Sequence, residues 1–194
     1  SGAEVARTRA PTPGGNYAGA LRAISDLVAK IDPDPEAQTP VGIGIPGTVS
    51  PATGLVKNAN STWLIGRPFD QDLSAHLERP VRIANDANCF AISEATDGAG
   101  ADVETVFGVI IGTGVGGGLV NHRRVMTGGN AIAGECGHTP LPWMTANEYP
   151  GVRCFCGRFG CIETFVSGPA MARDHATRTG QELSGAEIAA AAEA

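Results

Sequence analysis

Aromatic side chains are scarce in this chain, ten in all, and no basic excess accompanies them: fourteen Lys and Arg stand against twenty Asp and Glu, a net charge of −6. A protein that neutralises a run of phosphates needs the opposite balance, so nucleic acid is excluded as a main partner. Long hydrophobic runs are also missing. No stretch reaches the ~20 apolar residues of a membrane span, and the opening SGAEVARTRAPTP has no signal-peptide core, so the chain reads as cytoplasmic, with no membrane partner. Cysteines number five, and three crowd into Cys154, Cys156 and Cys161, a spacing that suits a metal or reduced thiols better than pairwise bridges.

What is present describes a folded globular protein. The 194 residues are 42% hydrophobic, with 27 glycines and 13 prolines. Area scaling lets a chain of this size bury about 70% of its unfolded surface, enough for one medium domain or two small ones without a disulfide scaffold. The first residue is not Met, and the chain reads as a piece of something longer.

Apolar residues at 21, 24, 27, 28 and 31 share one face of a helix expected over 15–31, which DPDPEAQTP breaks. VGIGIP, 41–46, reads as a short buried strand ended by Pro46 and Gly47, with glycines at 42 and 44 permitting close backbone approach. Turn formers dominate 48–68, predicting a loop with short strand pieces whose polar groups are candidate ligand contacts. A helix follows at 69–77, a strand at 81–84 and a helix at 86–98. A second strand, 106–111, enters GTGVGGG and leaves as Leu119-Val120, which reads as a glycine turn between strands. SGAEIAAAAEA at the end reads as a helix. The alternation is that of an α/β protein, and GAGAD at 98–102 marks a joint between units 1–100 and 101–194.

Four clusters carry chemistry. His138 with Cys154, Cys156 and Cys161 supplies three thiolates and an imidazole, the donor set of a closed, structural zinc site; a reduced cysteine cluster, or one disulfide with a spare thiol, is the competing reading. Glu135 precedes His138 by three residues and Glu163 follows Cys161 by two, so a metal here would pin two carboxylates able to accept sugar hydroxyls; taken singly, both are ordinary surface glutamates. Asn85-Asp86 lies at a strand end and helix start, where Asp86 serves as a plain N-cap or orients a substrate hydroxyl and takes its proton. Gly112-Thr113-Gly114 offers backbone N–H groups and a hydroxyl to a phosphate, or is simply a hairpin turn; it lacks both the dinucleotide fingerprint and the P-loop ending.

These motifs, in order, resemble the ROK family of sugar kinases and repressors: GIPG at 44–47, NDAN at 85–88, GTGVGGG at 112–118, GECGH at 134–138 and CFCGRFGCIE at 154–163. VKNANSTWLIGRPFDQDL and GHTPLPW look like the fructokinase or manno(fructo)kinase branch. The resemblance implies an actin-like ATPase, ribonuclease H-like fold, two α/β domains closing over a cleft. It further implies ATP-dependent phosphorylation of a hexose, D-fructose first, with Mg²⁺ accompanying ATP and a homodimer as the assembly. Under it Asp86 matches the catalytic base; Asn85, Glu135, His138 and Glu163 match sugar contacts, with Asn60 a weaker one. Gly112, Thr113 and Gly114 match the second phosphate turn, and His138 doubles as zinc ligand with Cys154, Cys156 and Cys161. The family's first phosphate loop, Asp-x-Gly-Gly-Thr, and its later adenosine segment are not found in these residues, so this span alone is expected to turn over poorly. A sugar-sensing repressor of the same family is the alternative, and other hexoses (glucose, mannose, N-acetylglucosamine) are alternative substrates.

Overall fold

The computed structural model describes residues 4–32, 34 and 39–193. It divides into two compact units, Ser1–Asp86 and Ala87–Ala194.

In the first unit, α1 (Tyr17–Ile31) starts where Asn16 accepts a hydrogen bond from the Gly19 N–H at 2.8 Å, a side-chain cap on an otherwise orphaned donor. Most of the DPDPEAQTP break lies outside the described residues. β1 (Val41–Ile45) pairs in parallel with β4 (Val81–Asn85), residue 41 opposite 81 and 45 opposite 85. Between them run β2 (Thr48–Val49) and β3 (Val56–Lys57), an antiparallel pair, then a 3-10 turn at Thr62–Leu64 and α2 (Phe69–Leu77). Ile45, Val56, Ala59, Leu64, Phe69 and Leu73 form the core, and Tyr17, Leu21 and Ile24 of α1 pack on it. β1, expected as a buried strand, is buried on one face: its isoleucines face the core, while Gly42 and Gly44 present no side chain to bury on the other. At the margin of this core the Tyr17 hydroxyl donates to Asp72 Oδ2 at 2.5 Å, and the Arg67 guanidinium lies 5.0 Å from the Tyr17 ring centroid.

The second unit takes nearly all of α3 (Asp86–Asp97), followed by a three-stranded antiparallel sheet, β5 (Thr105–Ile111), β6 (Val115–Asn121) and β7 (Arg124–Val125), and by α4 (Glu163–Val166), α5 (Gly168–Thr179) and α6 (Gly185–Ala192). The division at Asp86 precedes the GAGAD segment because Ala91 and Ala95 of α3 join Val120 in one buried cluster with Val106 of β5.

The glycine run is a strand where the sequence reading had a turn. Only 112–114 reverse the chain; Val115 to Gly118 pair residue for residue with β5, Gly118 opposite Gly108 and Gly117 opposite Val109. The reason is space. A Cβ on Gly118 would run into the Ala87 carbonyl and lie 2.8 Å from the Ala91 Cβ, and one on Gly108 would lie 2.9 Å from that same Cβ, so glycine on both strands lets α3 rest directly on the sheet. No helix among the described residues is long and apolar enough to cross a membrane.

Candidate functional site

In the first unit Asn85, the buried last residue of β4, donates through Nδ2 to the Gly47 carbonyl at 3.0 Å. Gly47, at φ 76°, packs so closely on the 57–59 backbone that a Cβ would meet Lys57 O and come within 2.8 Å of Ala59 N. The GIPG turn therefore ties Asn85 to the Asn-rich loop, which carries Asn60 exposed at its surface. Asp86 follows Asn85 directly. It is the first residue within α3 rather than a cap before it, exposed, in the turn where the helix dipole favours a negative charge.

In the second unit GECGH lies on β6. It is turned, not helical, and two of its residues must be glycine: Gly134, at φ 91°, abuts Gly117 O and Leu119 N, and a Cβ on Gly137 would collide with the Val115 carbonyl. This seating places Glu135 Oε2 4.0 Å from where a Gly116 Cβ would stand. The turn is stapled to the cysteine loop by the backbone, Ile162 N–H donating to Thr139 O at 2.9 Å and Glu163 N–H to Gly137 O at 3.0 Å.

That staple brings His138 to the thiols. One ligand atom from each of His138, Cys154, Cys156 and Cys161 lies within 4.8 Å of all the others. Cys154 Sγ is 3.4 Å from His138 Nδ1, and Cys156 Sγ is 3.6 Å from Cys161 Sγ. A zinc tetrahedron with Zn–S bonds near 2.3 Å has sulfur–sulfur edges of about 3.8 Å, so the donor set and its spacing fit the ion. Cys154 and Cys161 are buried and Cys156 is exposed. Burial, first of all, pushes the Cys154 thiol up to about 12, with the nearby Glu163 carboxylate adding to it, and burial raises Cys161 as well. Cys156 is lowered, chiefly by a backbone hydrogen bond from Arg158.

Glu163 sits against this cluster. Its Oε1 accepts from Cys154 Sγ at 3.1 Å, and its Oε2 stands 2.8 Å from the position a Cβ on Gly114 would take. The 112–114 turn is thus beside the cluster's carboxylate. It is held from the other side too, where the Gly168 N–H at the start of α5 donates to Gly112 O at 2.8 Å. An open groove of about 1370 Å³ flanks the turn, lined among others by Gly112, Thr113, Tyr149, Gly168 and Arg173.

His138, the three cysteines, Glu163 and the glycine turn are therefore brought together in the second unit, with Glu135 beside Gly116 of β6; Asn85 and the loop of Asn60 are joined in the first. The sequence reading missed Phe155, whose ring packs on His138 with centroids 4.9 Å apart and planes at 81°. It also missed Ser167, the buried cap of α5. An S-G-P run before a helix signals the second; nothing in the sequence marks the first.

The ROK family profile matches residues 1–194. An N-acetyl-D-glucosamine kinase of Pectobacterium atrosepticum is 45% identical over 169 residues, 85% of this chain and 56% of the relative, so the chain spans little more than half that protein's length. Among solved structures, a ROK hexokinase from Thermus thermophilus superposes with a TM-score of 0.72 at 27% identity, covering 92% of this chain and 57% of the other. A ROK family glucokinase from Streptomyces griseus, solved with glucose and AMPPNP, gives 0.69 at 29% identity, covering 87% and 53%. The architecture is accordingly that of the actin-like ATPase fold. With the motifs in order and the full span matched, the chain belongs to the ROK family.

Proposed function

We propose that the protein to which this chain corresponds transfers the γ-phosphoryl group of ATP to a hydroxyl of a hexose, and that the hexose is N-acetyl-D-glucosamine. The observation that carries the kinase reading is the convergence of His138 and Glu163 beside the Gly112–Gly114 turn, polyol-binding groups adjoining a phosphate-binding one. The choice of sugar follows the relatives. Fructose, which the branch resemblance implies, is named in none of the three proteins described above, whereas the relative at 45% identity is a kinase for the N-acetylated sugar.

In this reading Asn85, Glu135, His138 and Glu163 hold the sugar hydroxyls, with Asn60 at the margin. Asp86, exposed at the start of α3, accepts the proton of the attacking hydroxyl as transfer proceeds, a task in which position counts for more than a raised pKa. The N–H groups of Gly112 to Gly114 and the Thr113 hydroxyl take nucleotide phosphate, and Mg²⁺ arrives with ATP. Zinc, held by His138, Cys154, Cys156 and Cys161, is structural: four protein donors leave it no open position, and it supplies rigidity to the segment bearing His138 and Glu163.

The test is a coupled ADP-release assay on the longer parent protein with a hexose panel. The expected result is the highest kcat/KM for N-acetyl-D-glucosamine; preference for fructose would return the assignment to the fructokinase branch, and no ADP release with any hexose would overturn the kinase reading.

A further inference from the structure

Phe155 stands between two of the four donors, in Cys154-Phe155-Cys156, and is 70% exposed, an unusual position for a large apolar side chain. Among the described residues its ring packs on that of His138, centroids 4.9 Å apart and planes at 81°, the edge-to-face arrangement aromatic rings prefer. His138 needs such a contact. It comes from a different loop, 16 residues before Cys154, and its side chain is 40% exposed, so packing alone does not fix its ring. Rotation of the imidazole out of its plane would swing Nδ1 away from the 3.4 Å approach to Cys154 Sγ.

We propose that Phe155 is a positioning residue: its ring braces the His138 imidazole and holds the ring plane from which Nδ1 reaches the thiols, pre-setting the fourth metal donor. Groups around a metal site commonly orient the histidine through a hydrogen bond to its second nitrogen. Here an aromatic ring supplied by the cysteine loop itself does so, which ties the histidine's orientation to the same three-residue segment that carries two of the sulfurs. The inference rests on the zinc ligand set proposed above.

Metal titration of the purified chain tests it, with Co²⁺ followed by its thiolate charge-transfer and ligand-field bands and Zn²⁺ by competition with a chromophoric chelator. Because Phe155 is mostly exposed, Phe155→Ala opens no core cavity and is expected to keep the metal-free circular dichroism of the wild type. It should bind Zn²⁺ about 3- to 10-fold more weakly, the range of an aromatic pair's contribution, and its Co²⁺ ligand-field bands should shift as nitrogen ligation becomes partial. Phe155→Leu, with bulk but no ring, should weaken similarly; Phe155→Tyr should restore wild-type affinity and spectrum. Wild-type affinity and spectrum in the Ala or Leu chain would overturn the proposal while leaving the ligand set standing. A wild-type chain that takes up no Co²⁺ or Zn²⁺ would overturn the ligand set and the role of Phe155 together.

Discussion

Glu163 Oε1 lies 3.6 Å from His138 Nδ1, the side chains 12% and 40% exposed, so the carboxylate assigned to the sugar and the nitrogen assigned to the metal are neighbours. The backbone makes this so: Glu163 N–H reaches Gly137 O, the residue before the histidine. A metal that orders the cysteine loop therefore orders Glu163 with it.

Glu163→Gln in the parent protein should separate the two roles. The amide keeps shape and one acceptor but loses the charge that strengthens a hydroxyl hydrogen bond, a difference of about 0.5–2 kcal/mol. KM for the sugar should rise roughly 2- to 30-fold, with zinc uptake unchanged from that of the wild type. Loss of zinc from this variant would instead make Glu163 part of the metal site.

The cysteines should react in an order set by their surroundings. In the metal-free chain Cys156 is exposed and lowered by its backbone hydrogen bond, while burial holds Cys154 and Cys161 up as thiols. Iodoacetamide near neutral pH should label Cys156 first and Cys154 last, and raising the pH should speed Cys154 most, since the thiolate is the nucleophile. Zinc uptake must expel these protons, so metal affinity should fall as pH falls. Peptide mapping after timed alkylation checks the order; uniform labelling of the three would contradict it.

Much of this was legible in the chain and some was not, for physical reasons. α1 shows in its three-and-four spacing, and the metal cluster shows because its donor types are rare and closely spaced. The run from 112 to 118 misled because glycine signals both a turn and a close approach, and only the position of Ala87 and Ala91 over β6 distinguishes them. The joint read at GAGAD and the division at Asp86 differ because a break in the pattern need not be a break in packing: Ala91 and Ala95 pack with Val120. The start of α3 at Asp86 is that of the helix expected over 86–98, because strand and helix meet there without an intervening loop.

Gly118→Ala measures that close approach. The added methyl would meet the Ala87 carbonyl and the Ala91 Cβ, and overpacking of this kind costs about 1–3 kcal/mol. Gly112→Ala has nothing within 4 Å of the new methyl and should stay within about 0.5 kcal/mol of wild type. Urea midpoints compare the two; equal midpoints would refute the packing of α3 on β6.

Tyr17 gives an alkaline limit to the first unit. Burial first, then its hydrogen bond to Asp72, raises the phenol well above its ordinary range. In the unfolded chain Tyr17 loses its proton near pH 10, so its contribution is fully present below that pH and is lost as pH climbs beyond it. Urea midpoints between pH 9 and 11.5 should fall less steeply in Tyr17→Phe than in wild type; identical slopes would show that the half-buried phenol is not what the folded state protects.

The most direct measurement is single-turnover phosphoryl transfer by the parent protein carrying Asp86→Asn, paired with calorimetric binding of N-acetyl-D-glucosamine. If Asp86 takes the hydroxyl proton, sugar affinity should stay within about threefold while the rate falls by about 10²–10⁴. A variant that transfers phosphate near the wild-type rate would contradict the account at its centre.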